Sequence, residues 1–200
     1  MFIFSTDQIQ SFLDISPEWI AADKTLLDLG AGDGGVTAKL SKFYGNVYTT
    51  EMSQVMQWRL RQQNFLEEDP EKWSSSSRQY NLISALNLLD RHYNPRKLLL
   101  ELHDYCVTLK LLRSNGCCST FMWLKTEGRT FEEHASSLVE NEFIPAGFEL
   151  VKWTKLPYLC EGDFNKPYYL LSDALFLLRP VPTERISVES GTSHAVHNEL

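Results

Sequence analysis

The stretch Leu26-Leu27-Asp28-Leu29-Gly30-Ala31-Gly32-Asp33-Gly34-Gly35 constrains this chain more than any other. It stands between a short apolar run, Thr25–Leu29, and a helix-like segment, Asp33–Phe43, whose apolar positions include Val36, Ala38 and Leu40. Glycine adopts positive φ without steric cost and lets a ligand approach the backbone closely. A bare Gly-x-Gly-x-Gly is a weak signal; the same triplet directly after a strand and opening a helix is a much stronger one. The unit predicts an α/β fold with a mostly parallel sheet and a nucleoside-containing ligand over the turn.

Two acids sharpen the reading. Asp28 precedes the glycines, and Glu51 follows a second strand-like run, Asn46–Thr50. A carboxylate at the end of that second strand can accept hydrogen bonds from both ribose hydroxyls. Asp28 is placed to approach the positively charged end of a sulfonium amino acid. Gly30, Gly32, Gly34, Asp28, Glu51 and the adjacent Met52 are therefore the candidate cofactor residues, and S-adenosyl-L-methionine is the cofactor they suit. Two rivals stand beside this reading. One is a tight turn with solvated acids. The other is a nicotinamide dehydrogenase, but such turns space their glycines as Gly-x-Gly-x-x-Gly, usually with an apolar residue where Asp28 stands, and no substrate domain for hydride transfer is present.

The remaining pattern alternates helix and strand. Residues 5–15 read as a helix capped by Ser5 or Thr6, with Ile9, Phe12 and Leu13 on one face. Ser53–Gln63 reads as a helix with Val55, Met56 and Leu60 inward, and Tyr80–Leu86 as a strand. Between them, 67–79 is polar, with Ser74–Ser77 as a loop, and 64–79 has room for a poorly marked strand. Pro95–Leu112 reads as a leucine-rich helix, Asn115-Gly116 as a turn and Cys117–Leu124 as a strand. Thr130–Pro145 contains a helix opened by the Thr130/Glu133 capping box. Phe148–Thr154 and Tyr168–Leu178 read as closing strands. The expectation is one doubly wound domain over 1–180 and a disordered Ser/Thr/Glu-rich tail over 181–200.

Composition removes several function classes. A net charge of −7 argues against a protein that tracks nucleic-acid phosphates. Cys106, Cys117, Cys118 and Cys160 show no zinc-ligand spacing and read as free thiols, so no metal is expected. No apolar run reaches the roughly 18 residues of a membrane span, and the first residues lack a secretory pattern. The chain as given reads as soluble and cytoplasmic, with the endoplasmic reticulum or mitochondrion open to a longer form. His92, His103 and His134 fall on or beside helices and read as surface or helix residues. Trp58, Trp73, Trp123 and Trp153 read as packing residues.

Asn87-Leu88-Leu89-Asp90-Arg91 follows the Tyr80–Leu86 strand. Carboxyl ends of strands form the ligand crevice of open α/β sheets, so Asn87 and Asp90 point to the same crevice as the glycine turn, unless they merely cap the next helix. Here the chain resembles the methyltransferase-like protein 9 (DREV) family of protein-histidine methyltransferases. The resemblance rests on Met1–Ser5 with Asp7-Gln8, on Leu26–Gly34, on Thr50-Glu51-Met52-Ser53, on Leu86–Arg91 and on Leu156-Pro-Tyr-Leu-Cys-Glu-Gly-Asp163, and continues through Tyr168-Tyr169 and Asp173-Ala174. It covers about residues 1–101 and 126–180. The Leu156–Asp163 run is far more specific than the glycine turn.

The resemblance implies a seven-stranded, Rossmann-like class I fold. It also implies methyl transfer from S-adenosyl-L-methionine to Nδ1 of a protein histidine, leaving S-adenosyl-L-homocysteine. The protein substrates would carry His-x-His with a small middle residue. The chain's own His194 and His197 do not form that motif. Asn87, Asp90 and Tyr169 fall on the family's reaction-site positions, with Asn87 also reaching the cofactor. Attack through Nδ1 needs the proton on Nε2. The reading gives that N–H to Asp90 and gives Tyr169 the orientation of the substrate. One stretch departs from the family: over 102–125 the expected Gly-Arg-x-x-x-Ala-Leu-Val-Leu-Pro-Phe strand is replaced by Cys117–Lys125. The alternatives are a small-molecule methyltransferase and a catalytically inactive cofactor-binding module.

Overall fold

Leu26, Leu27, Asp28 and Leu29 are all buried, as a strand covered on both faces requires. In the computed structural model, which describes residues 4–75, 78–86, 88–89, 91–105, 109–115, 127–161 and 163–182, this strand, β1 (Thr25–Leu29), lies mid-sheet. The other strands are β2 (Asn46–Thr50), β3 (Leu66–Glu67), β4 (Leu82–Leu86), β5 (Leu109–Asn115), β6 (Phe148–Glu161) and β7 (Tyr168–Pro180). They form one seven-stranded sheet in the order β3-β2-β1-β4-β5-β7-β6. The first five in that order pair in parallel, and the β6–β7 hairpin joins antiparallel through β7. The chain runs outward from β1 to β2 on one side and returns to β4 on the other. The carboxyl ends of β1 and β4 thus flank the switch point where such sheets bind ligands.

Strand alternation sorts the leucines between two cores. Leu27, Leu29, Ile83, Ala85, Phe176 and Leu178 pack with Leu98, Leu99 and Leu102 of helix α4 (Pro95–Tyr105) and with Ala135 and Leu138 of α5 (Phe131–Leu138). Leu26, Leu82, Leu156 and Leu175 turn to the opposite face, toward Ile9 of α1 (Thr6–Phe12) and Leu40 of α2 (Thr37–Leu40). Each buried leucine contributes about 1.5–3 kcal/mol, so the sheet is held from both sides. The mostly parallel α/β architecture is the one expected.

Several elements differ from expectation. Helix α1 is capped by the Ser5–Gln8 box and stops at Phe12, short of residue 15. Helix α2 starts at Thr37 rather than Asp33, because the Asp33 side chain accepts the Gly35 N–H and Gly34 takes φ 79°; that local bond competes with the helix. In α3 (Gln54–Gln62), Leu60 is buried as expected, but Val55 faces solvent. The polar segment after it does hold a strand, the two-residue β3.

The largest correction concerns the leucine-rich stretch. Helix α4 ends at Tyr105, and Leu109–Asn115 is the fifth strand, not the end of a long helix. Short leucine runs satisfy either period. The slot between β4 and β7 decides, because it supplies a backbone partner on both sides. The strand expected at Cys117–Leu124 lies outside the described residues, as does the tail beyond 182. β6 runs on past Thr154 to Glu161, with a register irregularity between Leu150 and Lys152. Helix α5 carries the expected Thr130/Glu133 box and continues as a π-helical turn, Val139–Phe143.

Candidate active site

Gly30, Gly32 and Gly34 have φ of 68°, 58° and 79°, the left-handed region that suits glycine. Strand β2 pins the turn: the Gly30 N–H donates to Thr50 Oγ1 (3.2 Å) and the Ala31 N–H to the Thr50 carbonyl (3.0 Å). The Glu51 carboxylate accepts the Gly32 N–H (2.9 Å) and the Ser53 N–H (2.9 Å), fastening the turn to the start of α3. A methyl group added at Gly34 would meet Gln63 Nε2 at 2.8 Å and Leu60 Cδ2 at 2.9 Å. At Gly32 it would meet no atom within 4 Å. The turn is packed beneath and open above, the shape of a cradle for a bound group.

Asp28 sits under the cradle, not in it. It is 3% exposed and accepts hydrogen bonds from the hydroxyls of Thr37 and Ser84. One carboxylate thereby ties β1 to α2 and β4. It is not among the residues that line the cavity above, and its carboxylate supports the turn from below.

That cavity encloses about 680 Å³, within the ordinary range for small-molecule sites. Leu29, Gly30, Thr50, Glu51 and Met52 form one wall, and Pro70, Trp73 and Ser74 come from the loop after β3. Leu88, Arg91, His92 and Tyr93 close it after β4, with Lys97 and Glu101 of α4. A second cavity, about 390 Å³, shares Glu51 and Pro70 and extends over Gln57, Glu67, Glu68 and Asp69. Backbone and Lys72 hydrogen bonds hold the Asp69 carboxyl below the usual carboxylate range, the Glu71 N–H first among them. Glu51 thus forms a wall common to both spaces.

In the sequence, Trp73 reads as a packing residue, His92 as a surface or helix residue and Arg91 as the end of the Asn87–Arg91 stretch, and neither Tyr93 nor Lys97 is singled out. For Arg91, His92, Tyr93 and Lys97 the signal was position, since they follow the carboxyl end of β4, which borders the switch point, whereas Trp73 follows the edge strand β3. His92 stacks on Tyr93 (centroids 4.6 Å apart) and its Nδ1 accepts the Asn94 N–H at 3.1 Å. In the neutral ring the proton is then on Nε2.

Leu88 packs nearest to Gly30, at 3.2 Å from a Cβ placed there, and the Arg91 N–H closes a turn on the Leu88 carbonyl (3.0 Å). The expected site residues Asn87 and Asp90 lie outside the described residues. Tyr169 is on the β6–β7 hairpin. Asn115, the last residue of β5, pairs with Ser172. Tyr169 therefore lies roughly 10 Å past the sheet's carboxyl edge at ~3.3 Å per residue. It lines neither cavity. Its hydroxyl donates to Asp163 Oδ2 at 3.0 Å. Among the described residues, no group of three or more His, Cys, Asp or Glu is arranged to hold a metal, and no helix is long and apolar enough to cross a membrane.

Solved structures share this arrangement. A candidate RNA methyltransferase from Pyrococcus horikoshii superposes with a TM-score of 0.61 at 15% identity, over 90% of this chain and 81% of that one. The N-terminal domain of EvdMO1 with SAH bound gives 0.57 at 15% identity, over 88% and 80%. An S-adenosylmethionine-dependent methyltransferase from Clostridium acetobutylicum gives 0.55 at 11%, over 88% and 90%. At these identities the likeness speaks for the fold alone. The sequence goes further: the model of the DREV methyltransferase family matches residues 1–180, so this chain belongs to that family.

Proposed function

We propose that the chain transfers a methyl group from S-adenosyl-L-methionine to Nδ1 of a histidine in protein substrates carrying His-x-His. The observation that carries the cofactor reading is Glu51. It directly follows β2, holds the open Gly32 turn and walls the 680 Å³ cavity. A carboxylate there can take ribose hydroxyls through lone pairs beyond those used by Gly32 and Ser53. Gly30 and Met52 line that cavity, Gly32 and Gly34 shape the turn beside it, Asn87 is assigned to the donor, and Asp28 acts through the turn it supports. The bound S-adenosyl-L-methionine supplies a methyl group already activated on sulfonium. The related structure that holds SAH in the same fold supports that choice of donor.

The histidine acceptor rests on the family match and on the Asn87–Arg91 and Leu156–Asp163 stretches. In this reading Asp90 accepts the substrate Nε2–H, which leaves the Nδ1 lone pair facing the donor and offsets the charge that develops on the ring. Tyr169 orients the peptide, and positioning accounts for much of the acceleration. Mass spectrometry of a His-x-His peptide incubated with chain and donor tests this. One added methyl, localised to Nδ1, is the expected result. Methylation of small acceptors alone would replace the reading with a small-molecule enzyme. Donor binding without any turnover would leave an inactive binding module.

A further inference from the structure

We propose that Asp163 is the positioning residue of Tyr169: it accepts the phenol O–H as a hydrogen bond, so that the Tyr169 oxygen meets the substrate as a hydrogen-bond acceptor for an N–H. This rests on the reading of Tyr169 given above. The carboxylate is set by backbone rather than by rotamer choice. Asp163 Oδ1 accepts the N–H groups of Asn165 (2.8 Å) and Lys166 (3.2 Å), while the Asp163 N–H donates to the Lys166 carbonyl (2.8 Å). Residues 163–166 thus form a closed turn at the hairpin tip, and the second oxygen, Oδ2, is left aimed at Tyr169 (3.0 Å). The Lys166 ammonium lies 5.8 Å from the Tyr169 ring centroid and adds positive charge beside the pair.

Hydrogen-bond polarity then follows. An ionised carboxylate only accepts, and the Asn165 and Lys166 N–H groups, followed by Tyr169, hold this carboxyl below the usual carboxylate range. Near neutrality the shared proton belongs to the phenol. A hydroxyl has one proton to give, so every further hydrogen bond made by the Tyr169 oxygen is one it accepts. The partner on an acceptor peptide is a main-chain amide N–H, since the imidazole Nε2–H is assigned to Asp90. Asp163 touches neither substrate nor cofactor in this scheme; it acts through Tyr169.

The test is the Asp163→Asn variant. Its amide oxygen can still take the two backbone N–H groups, but its NH2 now donates to Tyr169 and turns the phenol proton outward. With a His-x-His peptide, kcat/KM should fall about 10-fold or more, the scale of one inverted hydrogen bond. Tyr169→Phe should lose at least as much, and the double variant no more than Tyr169→Phe alone. Donor affinity by calorimetry should be unchanged in all three. The loss should lie mainly in KM, as for a main-chain amide partner, and a loss confined to kcat overturns the proposal. Full activity in Asp163→Asn, or losses that multiply in the double variant, overturns the proposal. A readout without turnover covers a parent that binds donor but transfers nothing. In a carboxyl NMR titration, Tyr169→Phe should raise the Asp163 midpoint toward the ordinary range. An unmoved midpoint shows that the phenol does not donate to Asp163, and the proposal falls.

Discussion

Glu51 links two jobs, since the carboxylate that fastens Gly32 is also the one placed for a ribose. Glu51→Ala should therefore cost about 2–3 kcal/mol of donor binding, the scale of two hydrogen bonds to a charged group. Calorimetry that finds the affinity unchanged removes Glu51 from the site. Asp90 is assigned a different share. Asp90→Asn keeps shape and an accepting oxygen but removes the charge that balances the forming imidazolium. We expect kcat to fall about 10²-fold, as for a lost electrostatic stabiliser, with donor affinity little changed. Full turnover on a His-x-His peptide would transfer the role to Tyr169. Asp28 shows how far a residue-level reading reaches. Its acidity and its place before the glycines were plain in the sequence. That its oxygens answer Thr37 and Ser84 depends on a helix and a strand that reach it from elsewhere in the chain.

At the scale of elements, β5 carries the clearest prediction. Its Leu109–Leu112 pair with β4 over Ile83–Leu86, and the whole strand pairs with β7 over Ser172–Leu178, so its first four residues have a strand on both sides. Hydrogen exchange across Leu109–Leu112 should be as slow as across β1 and β4, because such amides open only with the sheet. Fast exchange there would mean that the departing stretch fails to complete the fold. Capped helices were legible in advance: the Ser5/Gln8 and Thr130/Glu133 boxes are local bonds between residues three apart. The strand in the leucine run was not. Val107–Leu112 has no period that excludes a helix, and its neighbours β4 and β7 are distant in sequence. β6 was read too short for a similar reason. Pro157 interrupts the strand pattern, yet its strand continues because β7 pairs along it to Tyr168.

The whole molecule is one sheet with a core on each face. Adjacent residues of β1 serve opposite cores, Leu26 toward α1 and α2, Leu27 toward α4 and α5. Leu26→Ala and Leu27→Ala should each cost about 2–5 kcal/mol, as buried leucine truncations do. Because the two cores share a backbone, both variants should still unfold in a single transition when followed by urea denaturation. Two separate transitions would show that the faces fold independently.

Local chemistry was enough for the glycine turn, the β1 and β2 strands on either side of it, the capped helix starts and the acid at Glu51. Dihedral limits, side-chain caps and short hydrophobic periods act between residues a few positions apart. They can be read along the chain. The cavity wall from Trp73 through His92 and Tyr93, the burial of Asp28 and the fifth strand at Leu109–Asn115 came from pairing and packing between distant segments. Strand partners and hairpin register are chosen by the free energy of the assembled sheet. A one-residue slip would turn every side chain to the other face, and no short window of sequence holds that information.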